Sequence, residues 1–381
     1  MRFAGGAVPI RDETNALPQL AMKWSYMVRN RHRWSLSATR QKAVEQEARA
    51  DMLGLGVGET ELRLLAEQAV IEVSVAYQEE SVNWAARIFP WEFVVTRLIK
   101  PYHSGGRITL IRHLRQQTTP PAVPEGRKSL LFVHSAPGAL AGSYLFDEEI
   151  ERMCGLDWKE HQVLKNPTAE ELEHRIAELR PDAIHISGID AHEGAELLDA
   201  NLSERKKQSL RDGLYLSASD GSETLVDAET LASLLNPAAA KDYAPRLVSF
   251  NLYNSASRLA ALTVARGAQA ALGFQDSIDN ELAELFFADF YRLWTGSAAP
   301  IGADGKTPSP GLPTVPAFYN AWRALASIPS RERGSGVVLW SARSYFADAG
   351  SKQAQARRQQ EALRWEQARR DQAAVSLEPA D

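Results

Sequence analysis

Between Ser129 and Ala342 short apolar runs alternate with longer amphipathic ones, and this alternation constrains the fold more than any other feature. "SLLFVHSA" (129–136), "EHQVLKN" (160–166), "DAIHISG" (182–188), "GLYLSAS" (213–219), "RLVSFNL" (246–252), "AALGFQ" (270–275) and "GVVLWSA" (336–342) read as strands. Between them "SYLFDEEIERMCG", "TAEELEHRIAELR", "DAETLASLL", "SASRLAALTVARG", "IDNELAELFFADFYRLW" and "VPAFYNAWRALASI" carry helical periodicity. Thr168, with Glu171 three residues on, is an expected capping box, and Ser255 is the expected N-cap of the helix ending at Gly267. Strands that are apolar throughout, separated by helices, imply an α/β fold: a mostly parallel sheet flanked by helices on both faces. Ligands and chemistry gather at the carboxyl ends of such strands. The loops after "FVHSA", "IHISG", "SFNL" and "LGFQ" are therefore where function is expected.

Upstream, "AVIEVSVAY" (69–77) and "RITLIRHL" (107–114) read as two further strands, with helices in "ESVNWAARIFPWEFVVTRLIK" and Pro90 opening the second. "TTPPAVPEG" (118–126) is the clearest linker. These breaks divide the chain into a basic, aromatic and helical extension (1–60), an N-terminal subdomain (61–117), an α/β core (127–345) and a polar helical tail (346–381). In the first part, "MKWSYMVRNRHRWSLSATR" mixes five cations with Trp24, Tyr26 and Trp34 and holds no acid. Such a run either faces a partner or packs its aromatics inward while its arginines snorkel.

The single cysteine, Cys154, excludes an intrachain disulfide and a Cys-based zinc site. A net charge of −5 gives no reason to expect a nucleic-acid partner for the whole chain. No apolar run is long enough to span a membrane, and "MRFAGGAVPIRDETN" lacks a signal-peptide core, so a cytoplasmic protein is expected. A P-loop, a G-x-S-x-G elbow and an H-E-x-x-H zinc pair are all missing, and no cofactor or metal is implied.

From about Val70 to Ala342 the chain resembles the CHAT family of bacterial caspase-like proteins. "QEESVNWAARIFPWEF", with Pro90, Trp91 and Glu92, is similar to the opening segment of many CHAT proteins. "ITLIRHL", "GLYLSAS…LVDAETLASLLN" and "AALGFQDSIDNELAELFFADFYRLW" then follow in the family's order. The resemblance implies a caspase-like fold and a Cys–His dyad: a general base ending H-x-x-G-H-G and a nucleophile near L-N-A-C-E-S. A base must exchange protons near neutral pH, and a thiolate must attack beside backbone N–H groups that hold the oxyanion.

Aligned with those motifs, "HISGID" keeps His185 and Gly188 but places Ile189 at the base position. Asp190, of the wrong charge for an oxyanion, stands beside it. "FNLYNS" places Tyr253 at the nucleophile position, and a phenol with a pKa near ~10 is a poor nucleophile without a base. With the dyad substituted, the resemblance implies a pseudoprotease: not an enzyme, but a regulatory or scaffold module for a peptide or protein partner in a bacterial defence or stress system. His134 and Ser135 from the first core strand, His185, Asp190, His192, Tyr253 and Asn254, and Gln275 and Asp276 on the far side are the expected cleft residues. Such a cleft could grip an extended peptide by strand addition, or these residues could simply solvate strand ends. The competing reading is an active, cysteine-independent hydrolase, with His192 on a solvated loop as base and Ser255 or Tyr253 as nucleophile.

Overall fold

The computed structural model describes residues 1–4, 6–30, 33–35, 37–77, 84–102, 108–116, 128–199, 212–238, 240, 242–275, 278–297, 312–327 and 336–346. The 118–126 linker, Asp276 and the tail helix expected over 351–372 lie outside them.

Twelve strands are formed among the described residues: β1 (Arg2–Phe3), β2 (Gly6–Ala7), β3 (Val70–Ala76), β4 (Thr109–Arg115), β5 (Ser129–Ser135), β6 (Glu160–Lys165), β7 (Ala183–Gly188), β8 (Gly213–Ser217), β9 (Glu223–Asp227), β10 (Leu247–Asn251), β11 (Ala270–Phe274) and β12 (Val337–Ser341). Ten of them build one sheet, in the order β2-β1-β3-β4-β12-β11-β10-β7-β5-β6. The run β11-β10-β7-β5-β6 is parallel, and so is β3-β4-β12. The two blocks meet antiparallel where β11 pairs β12. The expected α/β architecture is present and is consistent with a caspase-like fold.

Helices before the core are α1 (Leu17–Arg29), α2 (Ala38–Gly54), α3 (Glu59–Ala66), α4 (Trp84–Ile88) and α5 (Trp91–Ile99). Those within it are α6 (Asp147–Cys154), α7 (Ala169–Leu179), α8 (Ala191–Leu198), α9 (Ala228–Leu234), α10 (Ala261–Ala265), α11 (Asn280–Thr295) and α12 (Thr314–Ser327). A π-helical turn, Ala256–Ala260, leads into α10. The expected capping box on α7 forms: Thr168 Oγ1 accepts from Glu171 N at 3.1 Å, and Glu171 Oε2 accepts from Thr168 N at 2.8 Å. Among the described residues no helix is long and apolar enough to cross a membrane.

Strand alternation sorts each side chain to one face of the sheet. Leu131 and Val133, Ile184 and Ile186, and Val248 and Phe250 enter the core that also holds Trp24, Leu65, Leu98, Leu172 and Leu231. Leu130, Phe132, Ala183 and Leu247 enter a second core against Phe286, Phe287, Phe290, Tyr291 and Trp294 of α11. "GLYLSAS" forms β8 but does not join the sheet; it pairs with β9 as a separate hairpin. Its apolar residues are buried by lying across the ends of β5 and β7 instead of between neighbouring strands.

A buried ion pair fastens α5 to β4, and its arginine reaches the other block of the sheet through Gln275. Arg112 of β4 is fully buried and bonds both Glu92 carboxylate oxygens, with Nε–Oε1 at 2.8 Å. It also donates to the carbonyls of Arg87 and Phe89 and to Gln275 Oε1, and lies over the Trp340 ring. Removing one partner strands the other charge in the interior. Glu92→Ala is therefore expected to destabilise the protein by about 3–5 kcal/mol in urea unfolding, while breaking an exposed pair such as Arg63–Glu59 should leave the urea midpoint nearly unchanged.

Candidate functional site

β7 ends at Gly188, where a Cβ would lie 2.6 Å from the Ser135 carbonyl oxygen and 2.9 Å from Leu214 Cδ1. Only glycine permits that approach, which brings the turn after β7 against both β5 and the β8–β9 hairpin. Ile189 is then held by its backbone: its N–H donates to Ser135 O at 3.0 Å and its carbonyl accepts from Tyr215 N at 3.1 Å. Its side chain is fully buried with Ala136, Leu140, Phe146 and Tyr215. The position expected for a general base is an apolar plug.

Asp190 caps α8. Its Oδ1 accepts from the N–H groups of His192 at 2.6 Å and Glu193 at 3.0 Å. Asp190 followed by Glu193 is the spacing of a helix start, a signal present in "DAHE" but overlooked. Asp190 is only 3% exposed, and its Oδ2 has no hydrogen-bond partner among the described residues. Burial raises its pKa, opposed by the Glu193, His192 and Tyr253 amides and by the His192 charge.

His192 lies in the first turn of α8, not on a solvated loop, and is half-buried. Its Nε2 is 3.3 Å from Asp212 Oδ1, and that bond, against burial, raises its pKa. Asp190, His192, Asp212, Gly213, Leu252, Tyr253, Ser255 and Leu259 line a shallow depression at the ends of β7 and β10. Tyr253 is half-buried and its hydroxyl donates to Asn280 Oδ1 at 3.2 Å. Asn254 follows in the left-handed region, φ 54°, with a buried Oδ1 that has no partner among the described residues.

Ser255 does not cap its helix. Its backbone is already helical and its side chain makes no cap bond. Instead Oγ donates to Leu252 O at 2.8 Å and accepts from Phe274 N at 3.0 Å, tying the β10 exit to β11. Gly273 allows this, since a Cβ there would meet Ser255 Oγ at 2.7 Å. Among the described residues no hydrogen bond joins Ser255 to His192.

The other expected residues are dispersed. His185 is fully buried on the α11 face, with Nδ1 2.7 Å from Ser249 Oγ and Nε2 2.9 Å from Glu149 Oε1. His134 shares that face and packs on Phe146 at 4.8 Å between ring centroids; its Nδ1 has no hydrogen-bond partner among the described residues, and burial lowers its pKa. Ser135, one residue on, points to the opposite face and donates to Tyr215 O at 2.7 Å. Gln275 lies under α4, bonded to Arg112 and to Ile88 O, and does not line the depression. Cys154 is half-buried at the end of α6, its thiol pushed up to about 11 by burial.

Sequence reasoning missed Glu149. Fully buried on α6, it accepts from Ser187 Oγ at 2.5 Å and Asn251 Nδ2 at 2.9 Å and meets His185. Ser249 continues the chain to Tyr291, and Tyr144 bridges Asn251 to Glu284. The available signal was position: Phe146, Glu149 and Met153 fall on one stripe of α6, so a carboxylate sits where an apolar residue is due. Among the described residues no group of three or more His, Cys, Asp or Glu side chains could hold a metal ion.

Beside the depression, burial together with Asp190 and Glu196 pushes the Glu193 carboxyl up to about 7. A group protonated more readily in the folded state adds stability as pH falls from about 7 toward its unfolded value, and costs stability above that range. Glu193→Gln should therefore be more stable than wild type at about pH 8, by on the order of 1 kcal/mol once solvent screening is allowed for, with the gap closing near pH 5. Urea midpoints at the two pH values measure this.

No protein-family model matches the chain, and no curated protein matches it in sequence. Among solved structures, separase from Saccharomyces cerevisiae in its complex with securin is similar over 69% of this chain, at 10% identity and a TM-score of 0.29. The chain spans 18% of that separase chain.

Proposed function

We propose that this protein is a catalytically inert, caspase-like module of the CHAT kind that holds a peptide or protein partner at the β7–β10 strand ends. The carrying observation is Ile189: the position of the base in CHAT proteins is fully buried in an apolar cluster and pinned by backbone bonds on both sides. The nucleophile position is a tyrosine bonded to Asn280. What faces outward is a set of hydrogen-bonding groups, His192, Tyr253 and Asp212, around the unpartnered Asp190 oxygen. Such groups suit recognition of a polar backbone or side chain. On the resemblance to CHAT proteins, the partner belongs to a bacterial defence or stress-response assembly in the cytoplasm.

A second reading, a hydrolase using His192 and Ser255, is favoured by one observation: both line the same depression. Three others weigh against it. The Ser255 hydroxyl is bonded on both sides within the protein. His192 turns its Nε2 to Asp212 Oδ1 at 3.3 Å, and among the described residues no hydrogen bond joins it to Ser255. Cys154, the sole thiol, is held protonated by burial.

Mass spectrometry of a peptide and denatured-protein library separates the two. Neither wild type nor His192→Ala/Tyr253→Ala is expected to release new termini, and the double variant should retain peptides about tenfold less well, as when one or two buried polar contacts are lost. Cleavage by wild type that disappears in the double variant would establish the hydrolase instead.

A further inference from the structure

α1 is amphipathic in an uneven way. Leu17, Ala21, Trp24 and Val28 face the core. Met22 and Tyr26, one turn apart on the outside, remain 57% and 59% exposed. Trp34 is buried as well, so most of the aromatic content of this segment packs inward and Tyr26 is what it presents.

The cations around Tyr26 are a second irregularity. Lys23, earlier on the helix, is neutralised by Glu47 at 2.8 Å and Asp51 at 2.6 Å. Arg29, Arg33 and Arg40 are exposed, and none pairs with a carboxylate among the described residues. Arg33 Nη1 stands 3.5 Å from the Tyr26 hydroxyl, and Arg40 Nη1 donates to the Arg33 carbonyl at 2.8 Å, which makes the patch contiguous. Arg29 ends α1, where the helix dipole favours a cation. Arg40 is in the first turn of α2, where the dipole disfavours one, and no acid in that turn offsets it.

We propose that the exposed face of α1, with Arg33 and Arg40 beside it, is a docking surface for an acidic segment of a partner protein. The partner would carry carboxylates for the three guanidiniums and an apolar side chain for the Met22–Tyr26 stripe. Guanidiniums without partners pair bidentately with carboxylates, and the apolar stripe supplies the anchor that charge alone lacks. A nucleic acid fits less well: base stacking needs a row of exposed aromatic faces, and Trp24 and Trp34 are buried. This surface is separate from the strand-end depression, and the inference does not depend on what the depression binds.

Selection of short random peptides on the intact protein tests it, with Arg33→Glu/Arg40→Glu and Tyr26→Ala as counter-screens and circular dichroism as the folding control. Enriched peptides are expected to combine Asp or Glu with at least one large apolar residue. Their binding should weaken about tenfold or more on the charge-reversed variant and fall with salt, as for charge-assisted pairs. Enrichment of non-acidic peptides, or equal binding to folded Arg33→Glu/Arg40→Glu, would overturn the proposal. So would tighter binding of an oligothymidylate than of any selected peptide. Arg29→Ala is the milder variant should charge reversal prevent folding, and unchanged binding to it and to Tyr26→Ala would also count against the surface.

Discussion

A charged side chain in the middle of a sheet must be surrounded before the sheet can close, and Arg112 sets that condition here. Its guanidinium has donors in a fixed plane, all needing acceptors once water is gone. Glu92 and the carbonyls of Arg87 and Phe89 bring the α4–Pro90–α5 bend onto β4. Gln275 reaches in from the end of β11 and donates in turn to Ile88 O. The Trp340 ring beneath Arg112 donates its indole N–H to the Ala256 carbonyl, at the start of the helix that follows Tyr253. One buried charge thus connects the N-terminal strands, the antiparallel seam and the loop at the candidate site.

The two faces of the sheet treat the strand ends differently. Toward α11, three polar side chains from two strands, His185 and Ser187 of β7 and Asn251 of β10, converge on a buried carboxylate, Glu149. Toward the hairpin, the β7 exit is sealed by Ile189, and polar groups appear only at the rim. The first arrangement stiffens the strands, because a satisfied buried network holds one geometry. The second leaves a shallow, hydrogen-bonding surface whose shape does not depend on a reactive pair.

Much of the fold was legible because "LLFVHS", "AIHISG" and "LVSFN" are short, almost continuously apolar runs, the mark of strands buried on both faces. The alternation of the pleat separates His134 from Ser135, and Phe274 from Gln275, putting the two members of each pair on opposite faces. β8 was legible as a strand but not as a hairpin outside the sheet, since an apolar run does not name its neighbour. Ser255 and Asp190 show the limit at single residues: a serine and an aspartate before a helix are equally good caps by type. Only the local backbone shows that Asp190 takes the role while Ser255 spends its hydroxyl on β11.

The Ile189 plug is also an anchor, and this couples two separate parts of the chain, the hairpin and α8. Its carbonyl receives the Tyr215 N–H, its neighbour Asp190 bridges Leu214, and Ser135 receives its N–H while bonding the Tyr215 carbonyl. Gly194 on α8 would drive a Cβ to 2.3 Å from the Tyr215 ring, so that helix is fitted to the same contact. An imidazole introduced at 189 would have to desolvate two ring nitrogens among Ala136, Leu140, Phe146 and Tyr215. A histidine there requires the hairpin and α8 to change with it, so residue 189 is costly to alter one position at a time.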